Sequence, residues 1–216
     1  MGVGRIVRRA FGRHERLVSE MYRSVFVNLD AFVGSVRAHV PAATQILEIG
    51  CGDGLVTERL ALAFPGAALT GTDICAAPGR LYRGDPARVR FLRTSAEALS
   101  TAERGRFQLV VIADVLHHVP YGNRAGFLSS VTPLMADGAR LVLKDWVREW
   151  TPAYALGYFS DRFITGERIK YPNEEELRFL AQSAFGKDAI CSEFRVRPWH
   201  CNFALVVSPD ANRRDR

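Results

Sequence analysis

Glu48, Gly50, Gly52, Gly54 and Asp73 are residues whose types and spacing can do chemistry together. Four of them lie in Ile46-Leu47-Glu48-Ile49-Gly50-Cys51-Gly52-Asp53-Gly54, and Asp73 follows nineteen residues after the last glycine. Glycines at alternate positions let the backbone turn sharply and let a ligand approach with no Cβ in the way. An acid at the end of the next strand is placed to take both hydroxyls of a ribose. The spacing also separates ligand classes. Dinucleotide sites usually run G-x-G-x-x-G, so that a pyrophosphate rests on the helix N-terminus. Here Asp53 stands in that turn and would repel a diphosphate, so a ligand without phosphate fits better.

His117 and His118 form the second candidate group, just after the apolar run Phe107–Ala113 and Asp114. Imidazole titrates near neutrality and can act as a general base. The alternative is that one histidine packs and the other bonds the loop backbone. Asp145 and His200 are weaker candidates, and Lys144 either orients an anionic substrate oxygen or pairs with Asp145.

Alternating elements must position these groups. Strands are expected near 45–50, 67–72, 88–92, 107–112 and 139–145, with helices between them, as in a doubly wound parallel sheet. Residues 13–39 predict one or two amphipathic helices whose apolar positions are Leu17, Val18, Met21, Tyr22, Val25, Phe26 and Leu29. Asn173 followed by Glu174, Glu175 and Glu176 predicts an N-cap with a capping box and a helix to about Ala184. Two final strands, 189–196 and 202–207, read as antiparallel. The expected fold is α/β, a Rossmann-like, mostly parallel sheet of about seven strands with helices on both faces. The expected organisation is an N-terminal helical segment (1–40), a main unit (41–208) with an insert at 146–172, and a flexible tail (209–216).

With Ile46–Gly54, Gly71-Thr72-Asp73-Ile74, the segment Phe107–Pro120 and Gly138–Asp145 in place, the chain resembles the class I S-adenosylmethionine-dependent methyltransferases. The His-His-Val version of the fourth-strand loop is similar to the branch of quinone-biosynthesis and natural-product enzymes. The resemblance implies that Gly50, Cys51, Gly52 and Gly54 face the amino-acid half of S-adenosylmethionine, with Glu48 reaching its ammonium group. It implies Asp73 on the ribose, Ile74 on the adenine face, and Ala113 and Asp114 at the methionine moiety. The family's adenine-reading acid aligns here with Ser95, in Thr94-Ser95-Ala96-Glu97, so that contact is weaker or moves to Glu97. The product would be S-adenosylhomocysteine.

Composition bounds the rest. The chain has 216 residues, 48% of them apolar, enough for a sizeable core, and no apolar run long enough for a membrane-spanning helix. Four cysteines without a C-x-x-C pair read as a reduced, cytoplasmic set. A net charge of +6 raises nucleic acid as a partner, but the arginines are scattered and the nucleobase methyltransferase signatures are absent after the fourth strand. The N-terminal apolar stripe Val3, Ile6, Val7, Ala10 and Phe11, with Arg5, Arg8, Arg9 and Arg13 among it, is compatible with a membrane surface, although a helix over the cofactor site or a partly ordered terminus is the favoured reading. No cluster of carboxylate ligands suggests a metal. The insert, with Trp150, Tyr154 and Tyr158 on one helical face, suggests a cap over an apolar or aromatic acceptor, or a local core. The expected activity is methyl transfer to a small acceptor, oxygen slightly favoured over carbon. The alternative is a cofactor-binding scaffold without that activity.

Overall fold

A computed structural model describes residues 15–149 and 169–209. The N-terminal stripe at 3–11, most of the 146–172 insert and the tail beyond 209 lie outside the described residues. Seven strands form one sheet in the order β3-β2-β1-β4-β5-β7-β6. They are β1 (Gln45–Ile49), β2 (Ala68–Asp73), β3 (Val89–Arg93), β4 (Phe107–Ala113), β5 (Met135–Trp146), β6 (Ile190–Arg195) and β7 (Asn202–Val207). Pairs from β3 to β5 are parallel, and β7 runs antiparallel to both neighbours. The helices are α1 (Glu15–Phe26), α2 (Leu29–His39), α3 (Leu55–Ala63), α4 (Ala96–Ala102), α5 (Arg124–Val131) and α6 (Glu174–Phe185). The expected α/β sheet and its antiparallel strand are present.

Strand alternation builds the core on both faces. Leu47, Ile49, Val110, Ile112, Leu141 and Leu143 face Leu99, Leu128, Leu177 and Phe185 of α4, α5 and α6. Ile46, Leu109, Val111 and Val142 face Phe32, Val36, Val56 and Leu60 of α2 and α3. Because side chains on a strand alternate, every position on β1, β4 and β5 is assigned to a face by its neighbours. The strand order reverses between β1 and β4, so the crevice at their carboxyl ends is where such a sheet binds ligands.

The predicted helical segment at 13–39 divides into α1 and α2. Asn28 ends the first and caps the second, its side chain accepting the Ala31 amide at 2.9 Å. The last carbonyls of α1 are taken by tertiary donors: Trp199 Nε1 bonds Val25 O at 2.6 Å and Asn202 Nδ2 bonds Phe26 O at 2.7 Å. The capping box of Asn173 and Glu176 is formed as predicted, and α6 extends to Phe185. The insert boundary needs correction: β5 continues through Trp146 because Trp146 still pairs with Asn202.

Of the apolar positions expected on α1, Phe26 is buried. Leu17, Met21 and Val25 are exposed, and α1 turns Arg16 and Glu20 inward instead. The reason lies on α3, which presents charge to it. Arg16 Nη2 meets Glu58 Oε1 at 2.5 Å and Arg16 Nη1 meets Glu58 Oε2 at 3.0 Å, while Arg59 reaches Glu20 and Asp30. Arg16 also donates to Leu81 O at 2.8 Å and the Arg83 amide donates to Glu58 at 2.7 Å. Glu58 thereby joins α1, α3 and the loop after β2.

The Arg16 bond holds the Glu58 carboxyl below its ordinary range, with the Arg83 amide and the Coulombic pull of Arg16 and Arg59 adding to it against burial. A depressed folded-state pKa stabilises above the unfolded value and loses that stabilisation as pH falls through the folded one. Glu58→Gln is expected to lower stability by about 1–3 kcal/mol at pH 7. In denaturant titrations its deficit relative to wild type should shrink below about pH 4. A deficit independent of pH would remove the ion pair as its source.

Candidate active site

The turn after β1 is built from positive φ angles, 77° at Gly50, 50° at Gly52 and 89° at Gly54. Gly50 and Cys51 donate their amides to Thr72 O at 2.7 and 3.1 Å, closing the turn against the end of β2. Two close approaches require glycine. A Cβ on Gly50 would lie 2.2 Å from Val115 Cγ2, and one on Gly54 would lie 2.8 Å from Gly79 Cα. Over Gly52 nothing lies within 4 Å of where a Cβ would stand, so that side of the turn is open. The Asp73 carboxylate spans the opening, accepting the Gly52 amide at 2.8 Å and the Cys75 amide at 2.7 Å. Beside it Ile74 is 76% exposed, a large apolar side chain left facing solvent. Asp53 accepts the Leu55 amide at 3.3 Å, putting a carboxylate at the start of α3, where a pyrophosphate would need to rest.

Other predicted contacts are placed with less freedom. Glu48 is buried on the α3 face and accepts the Thr57 hydroxyl, a partner the sequence reading missed. The Cys51 thiol is buried and pushed up by that burial, with Glu48, Asp73 and Cys75 adding to it, so it is not a nucleophile. Ser95 caps α4, its oxygen accepting the Ala98 amide at 3.3 Å, and Ala96 packs in the core. Glu97 is exposed on the first turn of α4.

The second group converges at the carboxyl ends of β4 and β5. Asp114 has a left-handed φ of 58° and donates its amide to Lys144 O at 3.0 Å. Both its carboxylate oxygens accept Lys144 Nζ, at 2.6 and 2.7 Å. The suggested pairing of Lys144 with Asp145 is therefore incorrect. Consecutive residues of a strand point to opposite faces. Lys144 follows the parity of Val142 and Asp145 that of Leu143. Asp145, wholly buried, is paired with His117: its Oδ1 lies 2.5 Å from Nδ1, and its Oδ2 accepts the His117 amide at 3.0 Å. The Trp146 amide adds a third bond at 2.7 Å. Burial alone would raise the Asp145 carboxyl, but His117, Lys144 and the Trp146 amide hold it below its usual range. It is ionised at neutral pH and fixes the proton on His117 Nδ1.

His117 is buried between two rings, His118 at 4.1 Å and Tyr171 at 4.8 Å between centroids. Trp146 stacks on Tyr171 at 6.2 Å and Phe26 on Trp146 at 5.6 Å, carrying the aromatic wall to the end of α1. His118 is exposed, and His200 is exposed in the turn between β6 and β7. Tyr171 and Arg124 carried no spacing signal; Lys144, a cation inside the apolar run Leu141–Trp146, was the one visible sign of a buried pair. Asp114, His117 and Asp145 bring possible ligand atoms within 4.8 Å of one another, a cluster the sequence did not suggest. Lys144 on both oxygens of Asp114 already supplies that cluster with a cation.

Gly50→Ala should test the close approach. A left-handed φ and the Val115 contact together predict a loss of roughly 1–3 kcal/mol in thermal or denaturant unfolding. Gly34→Ala, inside α2 with open space around its Cβ, should instead stabilise by up to about 1 kcal/mol. Equal effects at the two positions would disprove the steric reading.

Residues 47–141 match a family described as a methyltransferase domain. The ubiquinone biosynthesis O-methyltransferase of Azotobacter vinelandii is 36% identical over 93 residues, 41% of this chain and 39% of that protein. The chain thus spans about two fifths of that relative's length. The protein of the same name from Aromatoleum aromaticum is 34% identical over 182 residues, 79% of this chain and 76% of its own. Among solved structures, Burkholderia thailandensis 1,6-didemethyltoxoflavin-N1-methyltransferase, bound to 1,6-didemethyltoxoflavin and S-adenosylhomocysteine, superposes with a TM-score of 0.66 at 18% identity, over 95% of this chain and 88% of its own. Human N-acetylserotonin methyltransferase in complex with SAM gives 0.68 at 16% identity, over 94% and 58%. These two structures share the fold, and the 34% identical relative carries the likeness across most of the sequence. The chain belongs to the class I S-adenosylmethionine-dependent methyltransferases.

Proposed function

We propose that this chain binds S-adenosylmethionine in the turn after β1 and directs its methyl group to an oxygen of a small, apolar or aromatic acceptor, with His117 as general base. The observation that carries the reading is the buried His117–Asp145 pair, set on the loop whose Val115 touches Gly50 of that turn. The open face of Gly52, the Asp73 carboxylate and the exposed Ile74 suit the group: a backbone surface without a Cβ for its amino-acid end, an acid for its ribose, an apolar platform for its adenine. Among the described residues Asp73 accepts one amide on each oxygen, which leaves acceptor capacity for a hydroxyl. Glu48, two residues before Gly50, is the carboxylate proposed to reach the cofactor's ammonium.

When bound, the group supplies a methyl on a sulfonium that is already activated for displacement. The protein's part is alignment and proton removal. Ionised Asp145 keeps the proton of His117 on Nδ1, so Nε2 is the nitrogen proposed to take the proton from the acceptor hydroxyl as the new oxygen–carbon bond forms. The resulting imidazolium is stabilised by Asp145 until its proton returns to water. The wall of Tyr171, Trp146 and Phe26, with Ile169 packed against it, favours an apolar or aromatic acceptor and supports 146–172 as its cap. The name O-methyltransferase carried by the curated relatives favours oxygen. Among the described residues no helix is long and apolar enough to cross a membrane.

Calorimetric titration with S-adenosylmethionine, S-adenosylhomocysteine and NADH is expected to give micromolar binding of the first two only. Asp73→Ala should weaken that binding by about 1–3 kcal/mol, the worth of charged hydrogen bonds. With a panel of phenolic acceptors, His117→Gln should cut turnover by about 10²–10⁴-fold while S-adenosylhomocysteine still binds. NADH binding would overturn the cofactor assignment, and a fully active His117→Gln the base.

A further inference from the structure

Arg124, the first residue of α5, is only 1% exposed. Its Nε donates to Val119 O at 3.1 Å, and its Nη2 donates to Lys170 O. Val119 closes the histidine turn, its own amide bonding Leu116 O at 3.1 Å. Lys170 leads directly into Tyr171, whose ring covers His117. One guanidinium fork therefore ties together the two backbones that enclose the imidazole.

Stapling two carbonyls does not require a charge, and burying one is costly. Among the described residues Arg124 makes no ion pair, and its buried Nη1 has no hydrogen-bond partner. Burial pushes the guanidinium down, while Asp145 and Glu176, neither ion-paired to it, and Tyr121, whose ring centre lies 5.6 Å from its Cζ, pull the other way. Its field is thus spent on its neighbours rather than cancelled by a bonded carboxylate.

We propose that Arg124 is a positioning residue for His117: its fork holds the histidine turn and Tyr171 in register, and its buried charge favours the neutral imidazole that accepts a proton. This rests on His117 being the base. The groups facing His117 are Asp145 from β5, Asp114 after β4, His118 on its own turn and Tyr171 before α6; Lys144 is turned to Asp114, and Lys170 Nζ lies over the Tyr121 ring. Arg124 itself comes from α5, and Glu176 of α6 acts on it. Asp145 favours the imidazolium, and a cation near the pair offsets that pull.

The test uses the full chain labelled with ¹⁵N-histidine, His117 among the five histidines being assigned from the His117→Gln spectrum. Arg124→Gln removes charge and fork together; Arg124→Lys keeps the charge and loses the fork. In Arg124→Gln the His117 midpoint is expected to rise by about one pH unit, and the acid limb of kcat to move up with it. In Arg124→Lys the midpoint should stay near wild type while kcat falls about tenfold at unchanged KM for S-adenosylmethionine. An unmoved midpoint in folded Arg124→Gln overturns the proposal. So does a wild-type kcat in Arg124→Lys, which also decides the matter if the Gln variant does not fold. A parallel fall of kcat, S-adenosylhomocysteine affinity and thermal midpoint in both, with the titration unmoved, would make Arg124 a packing residue only. If wild-type protein methylates no acceptor, the functional reading fails on its own, since the titration needs neither cofactor nor acceptor.

Discussion

At the buried end of β5 two successive residues are charged, and a strand cannot point both to one side. Lys144 enters the α2–α3 face of the sheet and Asp145 the α4–α6 face. Neither charge is tolerated there alone, because an unpaired buried ion forfeits its hydration without compensation. The loop after β4 supplies both partners, Asp114 on one face and His117 on the other. It is thereby pinned across the sheet edge from two sides. The left-handed backbone of Asp114 is the local distortion this demands, at a cost of about 1–3 kcal/mol. A lysine holding both carboxylate oxygens offsets it.

The position of that loop then determines how the two halves of the site meet. Val115 lies between Asp114 and His117 and is pressed onto Gly50, where even a methyl group would not fit. A shift of the loop would separate the proposed base from the glycine turn as well as from Asp145. The two halves also work with different materials. The turn offers backbone, fixed by Thr72 O and by the amides of Gly79 and Leu81, which bond Gly52 O and Asp53 O at 2.9 Å each. The histidine side is made of side chains from β5, α5 and the segment before α6, brought together by folding alone.

That difference explains what could be read in advance. The glycine turn, Asp73 and the order of strands are local: spacing, periodicity and a strand-end acid within about thirty residues specify them, and the sheet formed as expected. Lys144 and Asp145 are adjacent in sequence, and adjacency suggested a pair; only knowing which face each strand residue takes shows that it cannot form. Tyr171 reaches His117 from more than fifty positions away, and no local pattern marks it. Ser95 was legible as a departure from the family acid, and its use as the α4 cap is the local reason. For α1 the apolar spacing was only partly used: Phe26 is buried, while Leu17, Met21 and Val25 are exposed. Helix periodicity identifies a stripe, but the partner decides which stripe is buried, and α3 offered Glu58 and Arg59.

Charge is distributed unevenly across the site, and the unevenness has a chemical direction. Asp114 is answered by a lysine and Asp145 by an imidazole, so the acceptor side is internally compensated. Asp73 is answered by two neutral amides, which orient it without cancelling its charge. Asp53, at the start of α3, adds a second negative group where the helix end would otherwise attract an anion. A carboxylate at that helix start disfavours a diphosphate, and the proposed ligand instead brings hydroxyl donors and positive charge. A sulfonium cofactor with an ammonium group and a ribose meets both conditions, and once the methyl has left, the product carries one positive charge fewer into the same field. On the proposed reading, a carboxylate held at the ribose end by neutral amides attracts the sulfonium donor more strongly than the neutral thioether product.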